Sequence, residues 1–307
     1  MKFWEGYWKS LKPLEVEEPI DVWVHRPLAY LIARASFPIG FVTPNAITVV
    51  SIVLGIAAGA MMLADQIAWA GILLFSSAVF DCADGQLARL RGTSSAFGRM
   101  LDGAADLVVS VAASGGGTYL VWREYAHSPA YGALAVALCL ITIGTSSFHT
   151  SSYDHYKNVF LRLTHPSYRE GEDYEQALER AEKARAEATP FMRAVWRLYV
   201  FYVRTQTEYV RGFDPLTARL GAIPSYSPEG AAIYRRRAGG AMRVWRCFFG
   251  FGSLVFGMSV SIGLGFVEYY LWFRLIVLNL LFYGYARPRQ RRASTEALRD
   301  MGSAAPG

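Results

Sequence analysis

Stretches of apolar residues long enough to cross a lipid bilayer are what most constrains the fold of this chain. A membrane-spanning helix needs about 20 mostly apolar residues. The sequence contains such stretches at residues 45–64, 67–89, 101–122, 130–151, 244–266 and 269–286. Because backbone polar groups inside a bilayer must be satisfied within the helix itself, these stretches predict an all-α integral membrane fold with six transmembrane helices.

The charged residues predict how the helices are oriented. Only 18% of the 307 residues are charged, which is low for a soluble protein. Lysines and arginines concentrate in the N-terminal segment, after the second span and in the C-terminal tail, whereas Arg123 is the one basic residue expected in the opposite loops. Because basic loops stay in the cytoplasm, we expect a multi-pass protein of the cell membrane with both termini cytoplasmic. The net charge of +6 favours anionic membrane lipids, and not nucleic acid, as partners.

The order of apolar and polar stretches divides the chain into five parts. Residues 20–37 mix apolar and charged side chains, which is typical of an amphipathic helix lying at the membrane interface. The parts are an N-terminal cytosolic and interfacial segment (1–42), transmembrane helices one to four with the acidic motif (43–153), a cytosolic helical insertion (154–243), transmembrane helices five and six (244–286) and a basic cytosolic tail (287–307).

Two helices are expected in the insertion. Residues 172–188 are rich in Glu, Ala, Lys and Arg, a composition typical of a solvated helix. Residues 191–211 are dense in aromatic side chains, and four arginines fall along one face of the helix they would form. This basic stripe either contacts lipid phosphates or faces solvent while the opposite face packs on the protein, and the sequence leaves both interpretations open.

Four aspartates mark the facing ends of the second and third spans. Asp81 and Asp84 are three residues apart on one predicted helix, and Asp102 and Asp106 are four apart on the next. Each pair therefore shares a helix face. Because a short loop joins the two helices, we expect all four carboxylates to converge at the cytosolic boundary of the membrane.

The residue types around these aspartates indicate a metal site that acts on phosphate. Four carboxylates in one place repel one another and are costly to desolvate unless cations neutralise them, and hard oxygen ligands suit Mg²⁺ or Mn²⁺. Gly85 and Gly98 leave room for a ligand or a second backbone, Ala88 keeps the helix face small, and Arg89 suits phosphate oxygens. These parts match the needs of phosphoryl transfer.

This pattern resembles the CDP-alcohol phosphotransferase family, also called CDP-alcohol phosphatidyltransferases. The family signature D-x-x-D-G-x-x-A-R, eight further residues and G-x-x-x-D-x-x-x-D is filled at every fixed position between Asp81 and Asp106. The resemblance implies two metal ions held by Asp81, Asp84 and Asp102, with Asp106 as the general base that also contacts a metal. It further implies that the CDP group is bound by Gly85, Ala88, Arg89 and, at the start of the first span, Thr48.

The same resemblance implies a reaction in phospholipid or related phosphodiester synthesis. A phosphoalcohol group would pass from a CDP-alcohol donor such as CDP-diacylglycerol to an acceptor hydroxyl, and CMP would leave, at an active site facing the cytoplasm. An inositol-phosphate-type synthase using a soluble CDP-headgroup donor is the alternative, and the sequence does not identify the acceptor. A divalent-cation transporter is a more distant alternative, because the acids lie at one end of the spans and not at the membrane midplane. Family resemblance also implies a homodimer.

Overall fold

The computed structural model is helical throughout the residues that it describes, which are 3–93, 96–166, 178–179, 181–183, 189–219 and 226–303. No strand occurs among them, so the predicted all-α fold is confirmed. The α-helices are α1 (Phe3–Ser10), α2 (Arg26–Ser36), α3 (Pro44–Leu63), α4 (Ile67–Arg91), α5 (Ala96–Tyr125), α6 (Pro129–Thr164), α7 (Pro190–Arg211), α8 (Pro215–Ala218), α9 (Pro228–Phe248), α10 (Phe251–Gly263), α11 (Val267–Trp272), α12 (Asn279–Leu281) and α13 (Arg287–Ser303). Three π-helical segments occupy Asp21–His25, Phe273–Leu278 and Phe282–Ala286.

Within the described residues, five helical stretches are long and apolar enough to cross a membrane. They are Pro44–Leu63, Ile67–Arg91, Leu101–Tyr125, Pro129–Thr164 and Pro228–Gly263. This number indicates a multi-pass membrane protein. The sixth span expected at 269–286 coincides with short α-helical and π-helical segments in alternation, each too short to count by length, and it stays a prediction.

The chain folds as two compact units, each built from two separate stretches of sequence. The first unit comprises Met1–Ser147 and Gly250–Asn279. Inside it, α3 packs on both α4 and α5, while α2 and α10 pack on α4. The apolar core between these helices contains fully buried Ala58, Met62, Ala70 and Ile262. The helix that carries Asp81 and Asp84 is therefore enclosed by its neighbours.

Glycines allow these helices to approach closely. A Cβ atom added at Gly71 of α4 would lie 2.6 Å from the carbonyl oxygen of Ser259 and 2.7 Å from Cα of Gly263, both on α10. A Cβ added at Gly59 of α3 would lie 2.9 Å from the carbonyl oxygen of Ala112 on α5. Since the obstructing atoms are backbone atoms, side-chain motion cannot make room, and small residues are required here.

Replacing Gly71 by alanine should lower the stability of the first unit. The added methyl group forces α4 and α10 apart, and overpacking of this kind costs about 1–3 kcal/mol. Gly144→Ala is the matched control, because a Cβ at Gly144 meets nothing within 4 Å. The midpoint of thermal unfolding in detergent should fall for Gly71→Ala and stay the same or rise for Gly144→Ala. Equal midpoints for the two variants would contradict the close contact of α4 with α10.

The N-terminal segment is anchored to the first unit by polar contacts. The expected helix at 20–37 is present as the π-helical turn Asp21–His25 followed by α2. The Glu18 carboxylate accepts hydrogen bonds from the backbone N–H groups of Gly252 (3.2 Å) and Ser253 (2.8 Å) and from the Ser253 hydroxyl (2.8 Å). Glu18 therefore supplies acceptors for the first N–H groups of α10, whose cap position is the glycine Gly250 and has no side chain to do so.

The second unit comprises Phe148–Phe249 and Leu280–Gly307 and has an aromatic core. Trp245, Phe249 and Phe282 are fully buried and contact one another edge to face or at a tilt. Asp214 caps α8 by accepting a hydrogen bond from the Leu216 N–H at 2.8 Å, and its other oxygen accepts one from the Ser294 hydroxyl at 2.8 Å. The part of the predicted insertion that the structure describes is mostly helical.

The basic stripe expected on the insertion is present on α7. Its four arginines are exposed, and Val203, Thr207 and Val210 on the other face are buried. One face of α7 therefore packs on the protein, while the arginines lie on its exposed face, where Arg204 pairs with Glu208 at 2.8 Å. The exposed arginines are Arg193, Arg197, Arg204 and Arg211. The helix expected at 172–188 falls largely outside the described residues.

Candidate functional site

The turn after α4 brings the acidic ends of α4 and α5 toward each other. Gly92 has a left-handed conformation with φ +66°, which glycine adopts without steric cost. The N–H groups of Gly92 and Thr93 bond back to the carbonyls of Arg89 and Ala88, at 3.3 and 3.0 Å, and so close the last turn of α4. Both helices also pack on α3, which holds them in position.

Three of the four aspartates form a compact oxygen cluster. One carboxylate oxygen each from Asp81, Asp84 and Asp102 lies within 4.8 Å of the other two. Asp84 is only 6% exposed, and Asp81 and Asp102 are half-buried. Asp106 is half-buried and lies one helical turn after Asp102 on α5. The structure therefore brings together three of the four aspartates that the spacing singled out, Asp81, Asp84 and Asp102.

The cluster has the donor set of a site for a hard divalent cation. All of its ligand atoms are carboxylate oxygens, which Mg²⁺ and Mn²⁺ prefer over nitrogen or sulfur. Like charges this close, and partly out of water, need a proton or a cation between them. Asp81, Asp84 and Asp102 are the residues that fit a metal here.

Thr48 supports the cluster from the neighbouring helix. Its hydroxyl donates a hydrogen bond to Oδ2 of Asp84, and the residue is 3% exposed. The position is defined by the start of α3, where the Thr43 side chain accepts from the Ala46 N–H at 3.2 Å. The resemblance linked Thr48 with the nucleotide, whereas its contact in the structure is with a metal-ligand candidate.

Arg89 lies beside the cluster on a surface of small residues. Its guanidinium lies over Gly85, where an added Cβ would be 3.3 Å from Nη1. Nε of Arg89 donates to the backbone carbonyl of Ser10 at 2.5 Å, and Nε2 of Gln86 donates to the Ser10 hydroxyl at 3.0 Å. Ala88 is half-buried on the same helix. The end of α1 is thus bound to α4, the helix that carries Asp81 and Asp84, and the sequence carries no signal for this contact.

Arg91 is a second residue whose role sequence reasoning missed. Its Nη1 donates to the carbonyl of Val42 at 2.6 Å, and its Nη2 donates to the carbonyls of Ser36, Phe37 and Ile39 at 2.7, 3.0 and 3.0 Å. One guanidinium therefore holds the link between α2 and α3 against the end of α4. In the sequence, Arg91 is only one of the basic residues after the second span, which predict that this end of the span faces the cytoplasm.

Comparison with known proteins assigns this part of the chain to a family. A family model described as CDP-alcohol phosphatidyltransferase matches residues 41–160, a segment that includes Thr48, Arg89 and all four aspartates. Residues 41–160 are thus similar to CDP-alcohol phosphatidyltransferases. The match confirms the resemblance that was based on the aspartate motif.

Two curated relatives match part of the chain. The chain is 28% identical to a phosphatidylinositol phosphate synthase of Mycobacteroides abscessus over 126 residues, which are 41% of this chain and 54% of the relative. It is 31% identical to a phosphatidylinositol phosphate synthase of Corynebacterium glutamicum over 109 residues, 35% of this chain and 49% of the relative. The chain thus spans about half the length of the curated relatives that it matches. No solved structure matches it.

Replacing Thr48 by valine should weaken the binding of a divalent metal at the aspartate cluster without unfolding the first unit. Valine keeps the volume but removes the donor to Asp84, and losing such a supporting hydrogen bond costs about 10–100-fold in metal affinity. The metal concentration for half-maximal turnover should rise accordingly. Thr142→Val is the control, because the Thr142 hydroxyl bonds only to the Leu138 carbonyl of its own helix at 2.8 Å. If Thr48→Val needs the same metal concentration for half-maximal turnover as the unchanged protein, this hydrogen bond does not support the site.

Proposed function

We propose that this chain transfers a phosphoalcohol group from a CDP-alcohol donor to an acceptor hydroxyl and releases CMP. The observation that carries the proposal is the cluster of Asp81, Asp84 and Asp102, with Asp106 one turn away, inside the segment that matches the family model. Fold alone does not imply function, but a site with the right residue types in one place supports it.

We further propose that the reaction depends on a divalent metal, Mg²⁺ or Mn²⁺, held as two ions by Asp81, Asp84 and Asp102 together with Asp106. When bound, the metal would neutralise the diphosphate of the donor and so make its phosphorus easier to attack. The hydroxyl of Thr48 keeps the Asp84 carboxylate oriented for this task. Half-burial of the other carboxylates keeps water from competing for the same ligands.

The remaining residues of the site bind and orient the donor. The guanidinium of Arg89 pairs with phosphate oxygens in a charge-assisted contact. Gly85 and Ala88 present a helix face with little side chain, so the CDP group can approach the backbone. Positioning of this kind accounts for a large part of the rate in phosphoryl transfer, because the chain itself forms few covalent bonds.

Asp106 is proposed as the general base. A carboxylate oxygen of Asp106 accepts the proton of the acceptor hydroxyl while the acceptor oxygen forms a bond to the donor phosphorus distal to cytidine. The bond from that phosphorus to the bridging oxygen breaks, and CMP leaves with the electron pair. The support is that Asp106 is half-buried and lies one helical turn after Asp102, one of the three clustered aspartates.

The proposed donor is CDP-diacylglycerol, and the proposed acceptor is a phosphorylated inositol. The support is the name of both curated relatives, phosphatidylinositol phosphate synthase. A long apolar surface on α3 and α5, with Val53, Ile56 and Val111 exposed, is compatible with a lipid-borne donor. The distribution of basic residues supports a cell-membrane protein with its active site facing the cytoplasm. A homodimer stays a prediction.

Purified protein should release CMP from CDP-diacylglycerol only when an acceptor and a divalent metal are both present. Inositol phosphate, inositol, glycerol phosphate and serine should be compared as acceptors, with CMP and the lipid product measured together. EDTA should abolish turnover, and Mg²⁺ or Mn²⁺ should restore it. Asp84→Asn, which keeps the volume but removes a charged ligand, should lose turnover while the protein remains folded. Turnover that resists EDTA, or near-normal turnover in Asp84→Asn, would contradict the metal assignment.

Asparagine substitutions at Asp102 and Asp106 should separate a ligand from a base. Asp106→Asn should reduce turnover by about 10²–10⁴, the usual effect of losing general base catalysis, and leave donor affinity nearly unchanged. Asp102→Asn should weaken metal binding and donor binding together, because a lost ligand loosens the ion that holds the diphosphate. Calorimetric titration of the donor at several metal concentrations would distinguish the two. Equal losses of donor affinity would show that Asp106 acts first as a ligand.

A further inference from the structure

A second group of metal-binding side chains lies where the N-terminal segment meets the catalytic helix. One ligand atom each from Asp21, His25 and Cys82 lies within 4.8 Å of the other two. Asp21 and His25 are the ends of a single π-helical turn, and Cys82 is on α4. His25 is fully buried, Asp21 is 9% exposed and Cys82 is half-buried. Three side chains of different chemistry thus converge away from solvent.

His25 and Asp21 present ligand atoms to the same place. Nδ1 of His25 is 2.8 Å from Oδ1 of Asp21, so this nitrogen and this carboxylate can bind one ion. A metal ion on Nδ1 would displace the proton that Nδ1 shares with Asp21, and the neutral imidazole would then carry its proton on Nε2, which is buried and has no hydrogen-bond partner among the described residues. Phe75 and Phe256 fix the ring, with centroids 5.4 and 5.9 Å from it. The ligand nitrogen of His25 is therefore Nδ1.

The other charged side chains near Asp21 have partners elsewhere, so Asp21 is paired with His25 alone among the described residues. Arg26 pairs with Glu17 at 3.0 Å, and Glu18 accepts the N–H groups at the start of α10. Within the described part of the chain, the ion-pair partner of Asp21 is His25. The Asp21 carboxylate is also held tightly, because a Cβ added at Gly252 would lie 2.1 Å from its Oδ1. A negative charge is therefore fixed in a buried place beside a histidine and a cysteine.

The donor set differs from that of the aspartate cluster and selects a different ion. Nitrogen, sulfur and oxygen together suit borderline ions such as Zn²⁺, whereas Mg²⁺ binds oxygen. One residue step along an α-helix turns about 100°, so Cys82 and Asp81 face different directions although they are adjacent. We propose that Asp21, His25 and Cys82 form a second metal site, for a Zn²⁺-class ion, that joins the N-terminal segment to the catalytic helix.

The test is to measure cobalt binding to the full-length chain by absorption spectroscopy. Co²⁺ substitutes for Zn²⁺, and its bond to a thiolate produces a charge-transfer band in the near ultraviolet that carboxylate ligands do not give. Metal-free protein in detergent should develop this band on titration with Co²⁺ and lose it when Zn²⁺ is added. Excess Mg²⁺ should leave the band unchanged. A titration without a thiolate band would overturn the proposal.

Variants identify the ligands independently of enzyme activity. Cys82→Ser should abolish the band, and Cys247→Ser should retain it. His25→Gln, which can still hydrogen-bond to Asp21, should raise the Co²⁺ dissociation constant by at least about 10-fold, and it decides the matter if Cys82→Ser fails to fold. Asp84→Asn should keep the band, because it changes only the aspartate cluster. A band that persists in Cys82→Ser, or that disappears in Asp84→Asn, would overturn the proposal.

Discussion

Repulsion between carboxylates that the fold holds together is the constraint on which the rest of the first unit depends. Asp81, Asp84 and Asp102 are within 4.8 Å of one another, and such a cluster does not form unless the helices that carry it are held firmly. The surrounding structure supplies that restraint. Helix α4 packs against α1, α2, α3 and α10, and α3 also packs against α5. Helix packing thus holds the three carboxylates together against their mutual repulsion, and a bound cation would reduce that repulsion.

The parts of this arrangement that sequence reasoning could predict are those governed by local rules. Helical spacing predicted that Asp81 shares a helix face with Asp84, and Asp102 with Asp106. The lengths of the apolar stretches located the membrane-crossing parts of α3 to α6 to within a few residues. These predictions rest on the rise and repeat of one helix. They hold because a helix inside a membrane has few alternatives for its backbone.

What could not be predicted depends on contacts between residues far apart in the sequence. The carbonyl of Ser10 bonds to Arg89, and the Glu18 carboxylate bonds to Ser253, across 79 and 235 positions. Neither Ser10 nor Glu18 belongs to a motif, so in the sequence they are only polar residues of the N-terminal segment. Distant contacts also explain residues 269–286. One long helix was expected there, whereas the structure has π-helical segments that interrupt it. Arg274 lies in the π-helical segment Phe273–Leu278, where it is buried and donates a hydrogen bond to the Ser146 hydroxyl at 2.8 Å. Its place in an apolar stretch predicts instead that the side chain reaches toward the membrane interface.

The Glu18 contact has a consequence for how the protein is made. Residues 148–249, which form most of the second unit, separate the two stretches of the first unit. α10 and its contact with Gly71 therefore leave the ribosome only after this intervening region has been synthesised. Until then α4 has no partner on that face, and the Glu18 carboxylate has no helix start to cap. The first unit therefore cannot be completed before residues 250–279 have been synthesised, so α3, α4 and α5 wait as an incomplete bundle until then.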